Sequence, residues 1–311
     1  MGETKSLFLI EAPFQLLSAY EAIYDYDINQ YTIIIRLSNI ENNDLQLKKL
    51  VNILFKNDEQ VKYISLSAKN KSFLEYLKSL YYIICFSIYQ IKYSKIFFGN
   101  LESGFLSKII KLTKHNKIIL LDDGIKSIIF QNKFSENMFY NLYTMVDDLK
   151  YIPNQEIVVN RFNRLHKLLK SVHYTDDIMF IGSKLSEVNI IEESYYIALI
   201  KEISKQYEGE IIKYVQHRGE NKEKLLKIAQ INNIEVIKLE YPLEFYPLYS
   251  SLLPKTIVSF YSAALISMRK LYPESTMIAY KFDFTTYEQK ENIEKAYEYL
   301  TKHMKVVELN V

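Results

Sequence analysis

The stretch Lys117-Ile-Ile-Leu-Leu-Asp122-Asp123-Gly124 decides how this chain folds: four consecutive apolar residues stop abruptly at two carboxylates and a glycine. An apolar run of this length bounded by a turn signal reads as a buried strand, with Asp-Asp-Gly at its carboxyl end. In an open α/β sheet that edge is where ligands bind. Adjacent acids repel, so one of them holds its proton more tightly than a free carboxylate and can act as a base toward a hydroxyl group. A solvated turn, with an aspartate capping the next helix, explains the same letters.

Outward from this stretch the pattern repeats. Short β-branched runs alternate with longer segments of helical spacing, which predicts βαβ units and parallel sheets. In the first half the expected strands are Ser6–Ile10, Tyr31–Arg36, Val61–Leu66, Ser94–Phe98 and Lys117–Leu121. Helices are expected at Phe14–Ile23, Asp44–Phe55, Lys71–Tyr89 and Leu101–Leu112, with Pro13 suited to a first helical turn. Between Tyr151 and Asp177 the rhythm breaks at Pro153, a polar helix over Arg161–Leu169 and a Tyr-Thr-Asp-Asp turn, so the domain boundary is placed there. Strands resume at Ile178–Ile181, Glu210–Gln216, Ile234–Leu239, Thr256–Tyr261 and Ser275–Tyr280, with Met304–Leu309 as a last candidate. The helices among them are Ile191–Tyr207, Asn221–Ile231, Ala263–Leu271 and Tyr287–His303. The expected class is α/β with two Rossmann-like domains, residues 1–165 and 175–311, facing a central cleft.

Length and composition agree with two domains. The chain has 311 residues, 49% of them hydrophobic, and a net charge of +2 from 39 basic and 37 acidic residues. That balance gives no global field for nucleic acid. The single cysteine, Cys85, excludes an internal disulfide and suits a reducing compartment. The opening residues are too short an apolar run for a signal peptide, so cytoplasmic residence is expected. Leu80–Tyr89 is uncharged but far shorter than a spanning helix, and reads as a buried helix or, given Lys78, Lys92 and Lys95 around it, an interfacial one. No dinucleotide fingerprint, P-loop, metal-ligand spacing or hydrolase elbow is present.

Two further polar clusters fall at strand ends. In Tyr214-Val-Gln-His217-Arg218-Gly-Glu220, His217 can hold or protonate an anionic leaving group with Arg218 supplying charge, or it is simply a histidine opening a solvated turn. In Thr256-Ile-Val-Ser259-Phe-Tyr261-Ser262-Ala-Ala-Leu265, Ser262 at a helix start offers a hydroxyl and backbone N–H groups to a phosphate, or serves only as an N-cap. Glu244, in Tyr241-Pro-Leu-Glu244-Phe-Tyr-Pro247, suits ribose hydroxyls or a solvated turn.

Taken in order, Leu7-Phe-Leu-Ile-Glu-Ala-Pro13-Phe14-Gln15-Leu-Leu-Ser-Ala-Tyr-Glu21-Ala, Phe98-Gly99-Asn100, Leu121-Asp-Asp-Gly124, Phe180-Ile-Gly182-Ser183 and Ser259-Phe-Tyr-Ser262-Ala-Ala-Leu265 resemble the bacterial sialyltransferases of glycosyltransferase family 52. The resemblance extends over most of the chain. It implies the two-domain GT-B fold, inverting transfer of sialic acid from CMP-sialic acid to a hydroxyl of a surface glycan, lipooligosaccharide or capsule, and neither metal nor cofactor. By position it makes Asp123 the base, with Asp122 supporting it, and makes His217 the aid to phosphate departure. Ser262 would hold the phosphate and Glu244 the ribose; Gln15, Gly124, Gly182, Ser183 and Arg218 complete the substrate-binding set. The last helix would cross back onto the first domain. The expected partners are a nucleotide-sugar donor and a glycan acceptor, with a lipid-linked acceptor, peripheral contact with the inner membrane face and a homodimer as further options, and no nucleic acid. Two departures stand out: Arg218 follows His217 where the family has proline, and Ala263 follows Ser262 where it has Ser or Thr. They leave open a different nucleotide-activated sugar, or a catalytically silent nucleotide-binding or assembly protein.

Overall fold

The computed structural model describes residues 5–56, 58–67, 72–88, 91–122, 124, 128, 140–150, 152–169, 172–284 and 289–309. The chain divides into two compact units, Met1–Arg164 and Leu165–Val311.

The first unit is built on a parallel sheet of seven strands: β1 (Ser6–Ile10), β2 (Tyr31–Leu37), β3 (Val61–Ser65), β4 (Tyr93–Phe98), β5 (His115–Leu121), β6 (Asn141–Thr144) and β7 (Ile157–Val159), in the order β3-β2-β1-β4-β5-β6-β7. Every residue of β1 is buried, as a central strand covered on both faces requires. The connecting helices are α1 (Pro13–Asp25), α2 (Glu41–Phe55), α3 (Phe73–Ile88) and α4 (Gly104–Leu112). Helices α1 and α2 pack together, as do α3 and α4. Beneath the latter pair, Leu7, Leu9, Ile34, Ile96 and Phe98 of the sheet meet Ile83, Phe105, Leu106 and Ile109. The short strands β6 and β7 fall where sequence patterning predicts none.

A short helix, α5 (Asn163–Leu168), spans the division between the units. The second unit has a six-stranded parallel sheet: β8 (His173–Ile181), β9 (Ile212–Val215), β10 (Ile234–Ile237), β11 (Leu252–Ser259), β12 (Thr276–Lys281) and β13 (Lys305–Glu308), ordered β10-β9-β8-β11-β12-β13. Its helices are α6 (Glu193–Gln206), α7 (Lys222–Ala229), α8 (Tyr246–Ser250), α9 (Ala263–Leu271) and α10 (Lys290–His303). Tyr174 to Asp177, expected as a turn, are the leading half of β8. Their carboxylates are accommodated because each reaches a lysine on a neighbouring strand: Asp177 pairs with Lys213 on β9 and Asp176 with Lys255 on β11, both at 2.7 Å. Helix α10 packs against β13, and its Tyr297 stacks on Phe284 and donates to the carbonyl of Tyr280 at 2.7 Å.

Candidate functional site

In the second unit the chain leaves β8 for β9 and β10 on one side, then returns to build β11, β12 and β13 on the other, so the crossovers part between β8 and β11. The crevice beyond the carboxyl ends of two such strands is the ligand position of an open α/β sheet. Gly182 and Ser183 follow β8 there, and Phe260, Tyr261 and Ser262 follow β11. The Ser259 hydroxyl ties the two ends together by donating to the Ile181 carbonyl at 2.7 Å. Ser262 is the N-cap of α9, its hydroxyl accepting from the Ala264 N–H at 3.3 Å, and it is half-buried. Its backbone is extended (φ −117°, ψ 133°), as an N-cap requires.

The loop carrying His217 follows β9, the next strand over, and is held from below. Glu220 accepts from the His217 N–H at 2.6 Å, the Tyr214 hydroxyl at 2.5 Å and the Lys224 ammonium at 2.9 Å. The Tyr214 hydroxyl lies 2.7 Å from that of Tyr196, which accepts from the Ser183 N–H at 3.2 Å. One buried network therefore fixes both the loop after β8 and the loop after β9. It also explains Gly182, where a Cβ would lie 2.5 Å from a Glu220 carboxylate oxygen and 2.8 Å from the Tyr214 ring. Lys224, fully buried, completes the network. It reaches Glu187 and the Ser183 carbonyl, each at 3.0 Å, and lies 4.0 Å over the Tyr196 ring. Burial raises the Glu220 carboxyl above its usual range against the pull of Lys224. Burial pushes Glu187 up too, but the Asn221 N–H and Lys224 outweigh it and hold that carboxyl below its usual range.

These surroundings set the state of His217. Burial, then the charges of Arg218, Lys184 and Lys224, lower its pKa from 6.5 to about 4. Its Nδ1 accepts from the Gly219 N–H at 3.0 Å, so the neutral ring carries its proton on Nε2 and presents a donor. A pH dependence follows with a defined sign. Because the folded pKa is depressed, the unfolded chain takes up the proton first, and the stability contributed by the neutral ring is complete above pH 6.5 and lost between about 6.5 and 4. The melting temperature of wild type should fall more steeply over that window than that of His217→Gln. Parallel curves for the two proteins would show that the ring is not held neutral by the fold.

Arg218 is exposed at the lip of the same loop. Glu244 sits in a 3₁₀ turn, Leu243–Phe245, with its carboxyl in the interior, accepting from Ser267 of α9 at 2.6 Å and raised above its usual range by burial. The structure thus brings Gly182, Ser183, His217, Arg218 and Ser262 to one sheet edge and places the Glu244 carboxyl behind α9.

In the first unit the corresponding crevice lies between β1 and β4. Gln15 is buried in it: its Oε1 accepts from the N–H groups of Glu11 (2.8 Å) and Ala12 (3.2 Å), while its Nε2 donates to the Gly99 carbonyl at 3.1 Å. A Cβ on Gly99 would lie 2.1 Å from the Gln15 side chain, so the glycine is required by close approach. Asp122, fully buried, accepts from the Thr144 hydroxyl at 2.6 Å and from the Met145 N–H, pinning the end of β5 to that of β6. Asp123 lies outside the described residues. Gly124 is left-handed (φ +73°), the conformation glycine tolerates without strain.

Sequence reasoning missed Glu11. It follows β1 as Asp122 follows β5, an acid ending an apolar run, and that signal was available. Its carboxylate gathers Arg36 of β2 (2.6 Å) and, from the connection between β4 and α4, Ser103 (2.9 Å) and Asn100 (2.9 Å). Among the described residues, no group of three or more His, Cys, Asp or Glu side chains is placed to hold a metal ion. None of the described helices is long and apolar enough to cross a membrane.

No protein-family model matches this sequence, and no curated protein matches it. Solved structures do resemble the chain. A putative UDP-N-acetylglucosamine 2-epimerase from Listeria monocytogenes superposes with a TM-score of 0.57 at 11% identity, over 94% of this chain and 82% of that one. The Methanocaldococcus jannaschii UDP-GlcNAc 2-epimerase, in complex with UDP-GlcNAc and UDP, gives 0.56 at 15% identity, over 96% and 92%. Sucrose-phosphate synthase from Thermosynechococcus elongatus gives 0.52 at 8% identity, over 96% and 90%. At such identities the likeness establishes the fold: two parallel-sheet Rossmann-like units of the GT-B class.

Proposed function

We propose that this chain is an inverting glycosyltransferase that takes its sugar from a nucleotide-activated donor, with CMP-sialic acid the donor its motifs favour and a hydroxyl of a surface glycan as acceptor. The observation that carries this reading is the convergence, on one sheet edge of the second unit, of Gly182 and Ser183, a neutral His217 with Nε2 as donor, and the Ser262-capped start of α9. A phosphate fits such an edge because backbone N–H groups and the helix dipole favour negative charge at a helix N-terminus. The donor already carries a good leaving group, so the protein has to supply a base and charge stabilisation at the phosphate. In the proposed step the acceptor oxygen forms its bond to the anomeric carbon from the face opposite the leaving group. Its proton passes to Asp123, and the bond from that carbon to the phosphate oxygen breaks. The departing phosphate keeps the electron pair, stabilised by a hydrogen bond from His217 and by the start of α9. His217 acts here as a hydrogen-bond donor and not as an acid, since its ring is already neutral at pH 7.

Incubating the protein with CMP-sialic acid and an array of galactosides, read by mass spectrometry, tests the reading directly. A sialylated product supports it, while intact donor and unchanged acceptors across the array refute it. The reaction is expected to survive excess EDTA, because no step calls on a metal; loss of transfer restored by Mg²⁺ or Mn²⁺ would overturn that part and recast Asp122 and Asp123 as ligands. Arg218→Ala should weaken CMP affinity about tenfold, the usual worth of a charge-assisted hydrogen bond to phosphate. Affinity within about twofold of wild type would make Arg218 a solvated loop residue.

A second reading, transfer from a UDP-activated sugar, draws on the fold shared with an epimerase solved with UDP-GlcNAc and UDP, and on the Arg218 and Ala263 departures. Tighter binding of UMP than of CMP would favour it.

A further inference from the structure

Helix α3 is among the most apolar segments of the chain, yet among its described side chains only Glu75 and Ile83 are buried. Phe73 is 75% exposed, Leu74 62%, Tyr81 64% and Ile84 53%, with Tyr76 and Leu77 also exposed. Residues 73, 77, 81 and 84 recur at helical spacing and form one stripe, with Leu74 beside it. A contiguous apolar surface of this kind marks an interaction site. Its exposed surroundings are mainly basic. Lys78 stands on the helix itself, and Lys92 is exposed just beyond it. The neighbouring helix α4 presents Lys108, Lys111 and the exposed Leu112. The only acid on α3, Glu75, is buried and paired with Lys78 at 2.8 Å; α4 has none, and Glu102 precedes it.

We propose that the exposed stripe of α3, rimmed by the lysines of α3 and α4, docks the protein on the surface of a bilayer containing anionic lipid. The helix is too short to span, so it would lie in the headgroup region with Phe73, Leu77, Tyr81 and Ile84 inserted. Aromatic residues suit that depth, and lysines at its margin meet the negative surface potential. The charge pattern selects this occupant over a second copy of the chain, because a two-fold interface would set the lysine rim against itself. The inference is independent of the donor assignment and would stand if that failed.

The test is sedimentation of the full chain with vesicles of phosphatidylcholine alone and of phosphatidylcholine mixed with phosphatidylglycerol, for wild type, Phe73→Asp/Tyr81→Asp and Lys108→Glu/Lys111→Glu. All four positions are exposed, so circular dichroism and melting temperature should stay at wild-type values. Wild type should pellet with the mixed vesicles and not with the neutral ones. Each double variant should lose at least about tenfold in partitioning, since each basic residue near an anionic surface contributes about fivefold. No binding to mixed vesicles, or equal binding by wild type and variants, overturns the proposal. So does a stable dimer in light scattering that Phe73→Asp/Tyr81→Asp dissociates, which would assign the stripe to self-association.

Discussion

Replacing Asp123 by asparagine is expected to lower turnover by about 10²-fold or more while leaving CMP affinity nearly unchanged. The amide keeps the size of the side chain and removes only its basicity, and general-base catalysis contributes on the order of 10² to 10⁴. Nucleotide affinity should persist because the groups proposed to hold the phosphate all belong to the second unit. Asp122→Asn provides the contrast, because its carboxylate is buried and already accepts from Thr144 and Met145. Its loss should register as a lower melting temperature, with turnover reduced less than in Asp123→Asn. Full turnover in a folded Asp123→Asn protein, measured by initial rates at saturating donor, would remove Asp123 from the mechanism.

The largest stability effect is expected at Lys224. Methionine there keeps much of the packing but strips the cation from between Glu220 and Glu187, leaving buried carboxylates unpaired. Breaking a buried pair from one side costs about 3–5 kcal/mol, enough to lower the melting temperature by about 10 °C in a unit of this size. The sign of its pH dependence is also fixed. Without Lys224 the Glu220 carboxyl, already raised by burial, should rise further. A raised carboxyl contributes stability that is complete below its unfolded pKa and lost as pH climbs through the folded one, so the deficit of Lys224→Met should be smaller at pH 5 than at pH 8. Adding Glu220→Gln to Lys224→Met should recover part of the loss. An unchanged melting temperature in the single variant would mean that the network does not hold the loops.

How far the letters revealed this molecule depended on whether a signal was local. Ser6–Ile10 and Lys117–Leu121 are apolar runs ending in an acid, and both are central strands. Asn141–Thr144 and Ile157–Val159 escaped because they are four and three residues long and sit at one side of the sheet. Asp176 and Asp177 look like turn residues until the lysines of β9 and β11 are placed beside them, a pairing set by strand register. The strand-end positions of Gly182, His217 and Ser262 were readable; that one buried carboxylate, Glu220, secures the His217 loop was not. The Glu220–Lys224 spacing is that of an ordinary solvated helix pair, and only the fold shows both side chains fully buried. Glu11 carried the local signal of an acid ending an apolar run, but its partners Arg36, Asn100 and Ser103 lie far along the chain, so the cluster it gathers could not be read from its neighbours.

The central claim is that the sheet edge formed by β8, β9 and β11 holds the phosphate of a nucleotide. Calorimetric titration of wild type and Ser262→Asp with CMP, UMP and GMP tests it most directly, because an added carboxylate at the start of α9 should repel a phosphate there while still capping the helix. The account predicts that wild type binds CMP in preference to GMP and that Ser262→Asp loses at least about tenfold in affinity at an unchanged melting temperature. Equal nucleotide affinity in the two proteins, or no binding of any nucleotide by wild type, would contradict it.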